Sequence, residues 1–175
     1  MPFRRPAGLL KKFEIDGAQY RDAMSHFAGH VHVVTTDGVA GRRGVTVIAA
    51  CSVSDRPPTV LVCLNRENEA NDLFARNGVF ALNTLADRHR PLADAFSGAT
   101  GLEQDERFAL AQWKTEATGA PVLPDAAAVF DCRIAETHDI ATHRILIGRV
   151  EGLRTGARDT ALLYHNRAYQ PIGSS

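Results

Sequence analysis

Residues 44 to 64, GVTVIAACSVSDRPPTVLVCL, carry the side chains whose types and spacing best suit a ligand. Thr46, Cys51, Ser52 and Ser54 place small polar groups among β-formers, and Ala49 and Ala50 remove bulk at the centre. A strand lined with short side chains and hydroxyls lets a flat ligand approach the backbone and hydrogen-bond to it. A hairpin with only a structural role would carry Val, Ile or Tyr where this chain has Ala-Ala-Cys-Ser. The Pro57-Pro58 pair is expected to stop pairing, since neither ring nitrogen donates to a ladder. The segment reads as two strands joined by a turn, about 44–53 and 59–64, forming a binding wall.

His143 is the second chemical landmark. It opens the strand HRILIGRV after a stretch of weak strand propensity, so it belongs where a loop enters the wall. A histidine at such a rim can donate a hydrogen bond and carry charge near neutral pH; a structural role and a functional one are both open on this evidence. His30 and His32 sit two apart and could share a strand face as metal ligands. No carboxylate or cysteine stands at ligand spacing, so barrel-lining histidines are the preferred reading and no metal is expected. There is no GxGxxG after a first strand, no phosphate-binding P-loop, no HExxH and no GxSxG elbow.

The elements that must position these residues follow from periodicity. Asp16 and Gln19 form a capping-box pattern, and Tyr20, Ala23, Met24 and Phe27 recur at helical spacing, predicting a helix over about 17–28 that ends at Gly29. Strands are expected over 31–36, 78–84, 128–138, 143–153 and 161–169, with short helices over 68–76 and 89–96. Residues 97–124 read as a loop-rich excursion with isolated aromatics, of a length that is usually functional or buried at an interface. Many modest strands with a few short helices predict a closed or nearly closed antiparallel barrel, all-β or α+β.

At 175 residues the chain is expected to be one domain over 16–172, preceded by a basic arm, 1–15, read as mobile. Twenty basic and twenty acidic residues cancel, so no global field draws nucleic acid or an anionic membrane, and any anionic ligand must be held locally. Cys51, Cys63 and Cys132 are odd in number and widely spaced, which predicts buried free thiols in a reducing cytosol rather than disulfides. The N-terminal stretch lacks an apolar core for a secretory signal, and no run is long enough to span a membrane.

Taken in order, YRDAMSHFAG, VVTTDG, GRRGVTVIAACSVSDRPPTVLVCLNR, FALNTLA, RF, TGAPVL, FDCRI, ATHRILIG and LLYHNRAY resemble the short-chain flavin reductases, over about residues 18–171. These are the small partners of two-component flavin-dependent monooxygenases; the likeness is greatest to NADH:FMN reductases serving a pyrimidine-ring-opening monooxygenase. The resemblance implies a split β-barrel and a homodimer. It implies that Thr46, Val47, Ile48, Ala49 and Ala50 lie beside the flavin ring. Ser52, Val53 and Ser54 would hydrogen-bond its edge, and Asn65, Arg66 and Asn68 would reach the ribityl phosphate. Arg66 with two Asn side chains also suits a phosphate on chemical grounds. Asn83 and the Arg107-Phe108 pair match other positions lining the site. His143 falls on the histidine beside the nicotinamide, and Tyr169 on an aromatic near the same pocket.

Three departures from the family pattern carry expectations of their own. Ala141 stands where the motif has glycine, Arg144 follows the histidine where it could alter the choice between NADH and NADPH, and Ile48 replaces a polar residue. The expected activity is reduction of FMN, with FAD as an alternative, by NADH or NADPH, with reduced flavin passed to a monooxygenase. Two other readings are a split-barrel module that holds flavin or haem without turnover, and a pyridoxamine-phosphate-type oxidase. The latter would need a basic cluster, and the arginines here are scattered.

Overall fold

A computed structural model describes residues 15–158 and 160–173. The expected N-terminal arm therefore lies outside the described residues, save Ile15. Helix α1 (Gly17–Ser25) is capped by Asp16, whose carboxylate accepts from the amides of Ala18 and Gln19 at 2.8 Å each; it stops at His26, short of the expected Gly29. Strands β1 (Gly29–His30), β2 (His32–Thr36), β3 (Arg43–Val47), β4 (Ala50–Asp55) and β5 (Pro58–Asn65) follow. The expected two-strand wall is thus three strands, because the chain turns at Ile48–Ala49, where the Ala50 amide bonds the Ile48 carbonyl at 3.0 Å. Pro58 does not end pairing; it stands opposite Asp55 at the start of the β4–β5 hairpin.

The segment predicted as one helix over 68–76 is a 3-10 turn, Glu69–Asn71, running into α2 (Asp72–Asn77). After β6 (Val79–Thr84) comes α3 (Arg90–Ser97), with Pro91 in its first turn. The excursion from 97 to 124 is not all loop. It holds α4 (Gln104–Phe108) and a small ribbon of β7 (Lys114–Thr115) and β8 (Pro121–Val122). Long strands β9 (Ala128–Ile140) and β10 (His143–Thr155) form a hairpin. The single strand expected over 161–169 is two, β11 (Ala161–His165) and β12 (Ala168–Ile172), joined through Asn166 and Arg167, both at positive φ.

The main sheet is antiparallel in the order β3-β2-β6-β9-β10-β5-β4, and a second sheet is β1-β11-β12. Alternation along β2 and β6 sends side chains to two cores. Val34, Phe80 and Leu82 join Val62, Leu64, Phe74 and Leu146 on the face the sheet curls around. Val33 and Ala81 join Leu85, Leu92, Phe96, Phe108 and Leu162 between the sheet, α3 and the small sheet. With both faces covered, β6 is buried at all six positions, which explains its near-continuous apolar run. Gly44 lets α3 approach β3, since a Cβ there would lie 2.4 Å from the Phe96 ring. Curling brings β3 against β5, and the result is a split-barrel-like fold.

Candidate functional site

The two edges of the main sheet, β3 and β4, are consecutive in the chain. Each pairs with one strand only among the described residues, so a seam is left between two sheet edges; at Gly44 the Gln104 side chain covers the β3 edge, accepting from the amide at 2.9 Å and donating to the carbonyl at 3.3 Å. Residues 46–54 run along both lips. Ile48 and Val53 are 43% and 51% exposed, and Ala49 and Ser52 are exposed beside them. Val47 and Ala50 pack inward on the barrel core. Thr46 Oγ1 donates to the Ala93 carbonyl at 2.7 Å, which ties the lip to α3. Ser54 Oγ is spent on the Arg56 amide at 3.0 Å, near the hairpin turn.

A cavity of about 500 Å3 opens at the β3 end of the seam, walled by Thr46, Val47, Ile48, Arg90, Tyr164 and Tyr169. Tyr164 and Tyr169 meet edge to face, with centroids 5.5 Å apart, and the Arg90 guanidinium lies 5.4 Å over the Tyr169 ring. Burial, chiefly, pushes the Tyr169 hydroxyl above its usual range. Of this group only Tyr169 and the strand residues were legible in the sequence. Arg90, Tyr164 and Arg167, which also borders the cavity, carried no local signal.

Beyond the seam, the Ala49 carbonyl accepts from the Cys63 amide at 2.9 Å, which sets Ile48–Ala49 beside the end of β5. There His143 stands directly opposite Asn65 in the β10–β5 register. His143 is exposed; its Nδ1 lies 2.9 Å from Thr142 Oγ1, and Nε2 has no partner among the described residues. Asn65 and Asn68 use their side-chain oxygens on the amides of Glu67 (2.9 Å) and Ala70 (3.2 Å), which leaves their Nδ2 donors without a partner among the described residues. Thr46–Ala50, Asn65–Asn68 and His143 are therefore gathered at one end of the barrel.

The cations at this end are not equally available. Arg66 Nη2 is 3.2 Å from Asp139 Oδ2. Arg144 grips the same carboxylate at 2.7 and 3.1 Å and reaches Asp72 at 2.8 Å. The Arg144 hydrogen bond, first of all, holds the Asp139 carboxyl below its ordinary range. Arg144 is thus a strut between the β9–β10 tip and α2, a role that its position after His143 in the sequence does not announce. Arg43, which the sequence left unmarked within a GRRG run, is buried at this end. Its Nε donates to Asn71 Oδ1 at 3.2 Å, and Asn71 Nδ2 donates to the Asn65 carbonyl at 2.8 Å.

Two expected site residues are placed elsewhere. Asn83 is wholly buried: Nδ2 donates to the Val33 carbonyl and Thr35 Oγ1 (3.0 and 3.1 Å), and Oδ1 accepts from the Leu123 amide at 2.8 Å. Phe108 is 3% exposed, in an aromatic cluster with Phe96 and Trp113 (centroids 5.0 and 5.1 Å). Both belong to the framework because every polar or apolar surface they carry is already used within it. Arg107 Nε donates to the Leu102 carbonyl at 2.6 Å. Of the thiols only Cys132 is buried; Cys51 is exposed and Cys63 half-buried, contrary to the sequence expectation. His32 Nδ1 lies 3.1 Å from Thr84 Oγ1 and its ring 5.3 Å from that of His30. No metal-binding cluster of His, Cys, Asp or Glu exists among the described residues, and no described helix is long and apolar enough to cross a membrane.

Comparison with known proteins gives this geometry its context. A family model described as the flavin reductase like domain matches residues 24–173. An FMN reductase (NADH) RutF of Bradyrhizobium diazoefficiens is 52% identical over 165 residues, 94% of this chain and 90% of that protein. The protein of the same name from Agrobacterium fabrum is 50% identical over 162 residues, 93% and 92% of the two chains. BorF, the flavin reductase component of a bacterial two-component tryptophan halogenase, superposes with a TM-score of 0.83 at 28% identity, covering 91% of this chain and all of BorF. The flavin reductase HpaC, solved with NADP+, superposes at 0.80 with 25% identity, over 90% and 98%. The chain belongs to the flavin reductase like domain family.

Proposed function

We propose that this chain is an NADH-dependent FMN reductase, working as a homodimer in the cytoplasm, that releases reduced flavin to a partner monooxygenase. The observation that carries the reading is the seam: residues 46–54 line both sheet edges, and His143 and the Asn65–Asn68 loop stand at the same end. The names borne by the relatives at 50% and 52% identity support FMN and NADH. The residues fit such a cofactor: exposed Ile48 and Val53 offer apolar surface for a flat ring, and the β4 edge offers backbone hydrogen bonds to its rim.

Flavin and nicotinamide supply the hydride chemistry themselves. The chain's part is to hold and orient. Thr46, fixed to α3, sets the height of the β3 lip; Tyr169 and Tyr164 close the far wall of the cavity and exclude water. His143, steadied by Thr142, presents Nε2 to a nicotinamide carboxamide or to negative charge developing on the ring. No side chain need act as nucleophile. The engagement of Arg144 by Asp139 and Asp72 supports NADH over NADPH, since the cation beside His143 is not free for a ribose phosphate. The open seam suits a flavin that must leave.

Steady-state oxidation of NADH and NADPH with FMN, FAD and riboflavin in turn tests the reading; flavin-dependent turnover favouring NADH and FMN is expected. Flavin or haem binding without nicotinamide oxidation would indicate a binding module. In His143→Ala, kcat/KM for NADH is expected to fall about 10- to 100-fold while FMN affinity stays within about twofold. Loss of FMN binding in that variant would refute the assigned role.

A further inference from the structure

Arg43, the first residue of β3, is 8% exposed. Buried guanidinium groups are ordinarily matched by a carboxylate. Arg42, Arg66, Arg133, Arg144, Arg149, Arg154 and Arg167 each have one, yet all are more exposed. Arg43 has none among the described residues; its single hydrogen bond runs from Nε to Asn71 Oδ1. No fully buried side-chain nitrogen or oxygen among the described residues lacks a partner. The two Nη groups, which have no hydrogen-bond partner among the described residues, therefore keep some contact with solvent. Burial first, and then the charge of Arg107, hold the guanidinium below its usual range.

We propose that Arg43 forms an anion subsite beside the 65–71 loop that takes the phosphate monoester of the flavin. Arg66 is paired with Asp139, whereas Arg43 faces no carboxylate among the described residues, so its charge is the one at this end left to be matched. Asn71 links it to the Asn65 backbone, and so to the loop that carries the exposed side chains of Asn65 and Asn68. Five N–H donors in a planar fork suit a tetrahedral oxyanion. The inference rests on the flavin-binding reading above and adds to it a residue that the sequence did not single out.

The same chemistry could receive the pyrophosphate of NADH or free phosphate, and binding experiments separate these sources. Affinities of FMN and of riboflavin are measured by flavin fluorescence quenching in the wild-type protein and in Arg43→Gln and Arg43→Lys, with inorganic phosphate as competitor. Arg43→Gln is expected to weaken FMN about tenfold or more, to leave riboflavin within about twofold, and to abolish competition by phosphate. Arg43→Lys is expected to recover part of the FMN affinity. Equal weakening of FMN and riboflavin, or no weakening of either, overturns the proposal. So does a raised KM for NADH with FMN affinity intact, which would assign the subsite to the nicotinamide cofactor. Should Arg43→Gln fail to fold, the wild-type protein still decides: FMN must bind more tightly than riboflavin, and inorganic phosphate must erode that advantage. Intact FMN binding without NADH oxidation would count against the reductase reading and leave the subsite standing.

Discussion

Asn83 and Arg43 are both buried polar residues on strands of one sheet, but they differ in what they have left to bond. Asn83, 0% exposed, spends its amide on Val33 and Thr35 and its oxygen on Leu123, joining three segments of the framework. Arg43, 8% exposed, spends one donor on Asn71. A saturated polar group in a low-dielectric interior stabilises one arrangement of the chain. An unsaturated cation there is in want of a partner, and a ligand can supply it. Burial therefore does not by itself separate structure from function in this barrel; residual bonding capacity does.

The comparison breaks most visibly if Asn83 proves to act on the ligand. Asn83→Leu strands the Leu123 amide in the core, at about 1–3 kcal/mol, and removes the bonds from Nδ2 to the Val33 carbonyl and Thr35 Oγ1, each contributing about 0.5–1.5 kcal/mol. A loss of roughly 3 kcal/mol or more is expected in chemical denaturation, with the ratio of FMN to riboflavin affinity unchanged. A shift in that ratio at unaltered stability would place Asn83 in the site and erase the distinction. Arg43→Gln is expected to give the mirror result, a large shift in the ratio with a smaller change in stability.

His32 sharpens the same contrast through pH. It is half-buried, and desolvation, with a smaller contribution from His30, lowers its pKa to about 3. Unfolded, it would titrate near its usual value, about 6.5. Between those two values the unfolded chain binds the proton and the folded chain does not. Stability from the neutral ring is thus present above about pH 6.5 and is lost as pH falls toward 3, by up to about 1.4 kcal/mol per pH unit. His32→Gln keeps an acceptor for Thr84 and removes the titration. Its unfolding free energy is expected to vary less between pH 4 and pH 7 than that of the wild type; an unchanged slope would locate the acid sensitivity elsewhere.

Much of the fold could be read from the sequence because period-two alternation and turn residues are local signals. β2, β6, β9 and β10 stand where the pattern put them, within a few residues. The misreadings arose where a tertiary contact decides. Nothing in VTVIAACS says that the chain leaves one sheet edge at Val47 and joins the other at Ala50, since that step depends on the barrel's curl. The β11–β12 turn passed unseen because Asn166-Arg167 lacks the glycine that usually marks such a hairpin. In the candidate site, Thr46, Ala49 to Ser52, Ser54 and His143 stand out by residue type and position, whereas Val47, Ile48, Val53, Asn65 and Asn68 are implied by the family resemblance. Arg43 is marked by neither, because a lone arginine beside another in a turn looks like a solvated charge until its missing carboxylate is seen.

The smallest expected effect lies at the lip of the site. Ala141, in the turn between β9 and β10, has φ +50°, a left-handed conformation that costs an L-residue about 1–2 kcal/mol. Glycine relieves that strain, but it also gives the unfolded chain more freedom, which offsets about 0.4–1 kcal/mol. Ala141→Gly is therefore expected to stabilise the protein by about 0.5 kcal/mol, roughly 1–2 °C in Tm. The turn also carries Thr142, whose carbonyl accepts from the Arg66 amide at 2.9 Å and whose hydroxyl steadies His143. A looser turn should then raise KM for NADH slightly and leave FMN affinity alone. A destabilised Ala141→Gly with unchanged KM would mean that the strand ladder, rather than the turn, sets the His143 position, and that the left-handed alanine is no burden on this end of the barrel.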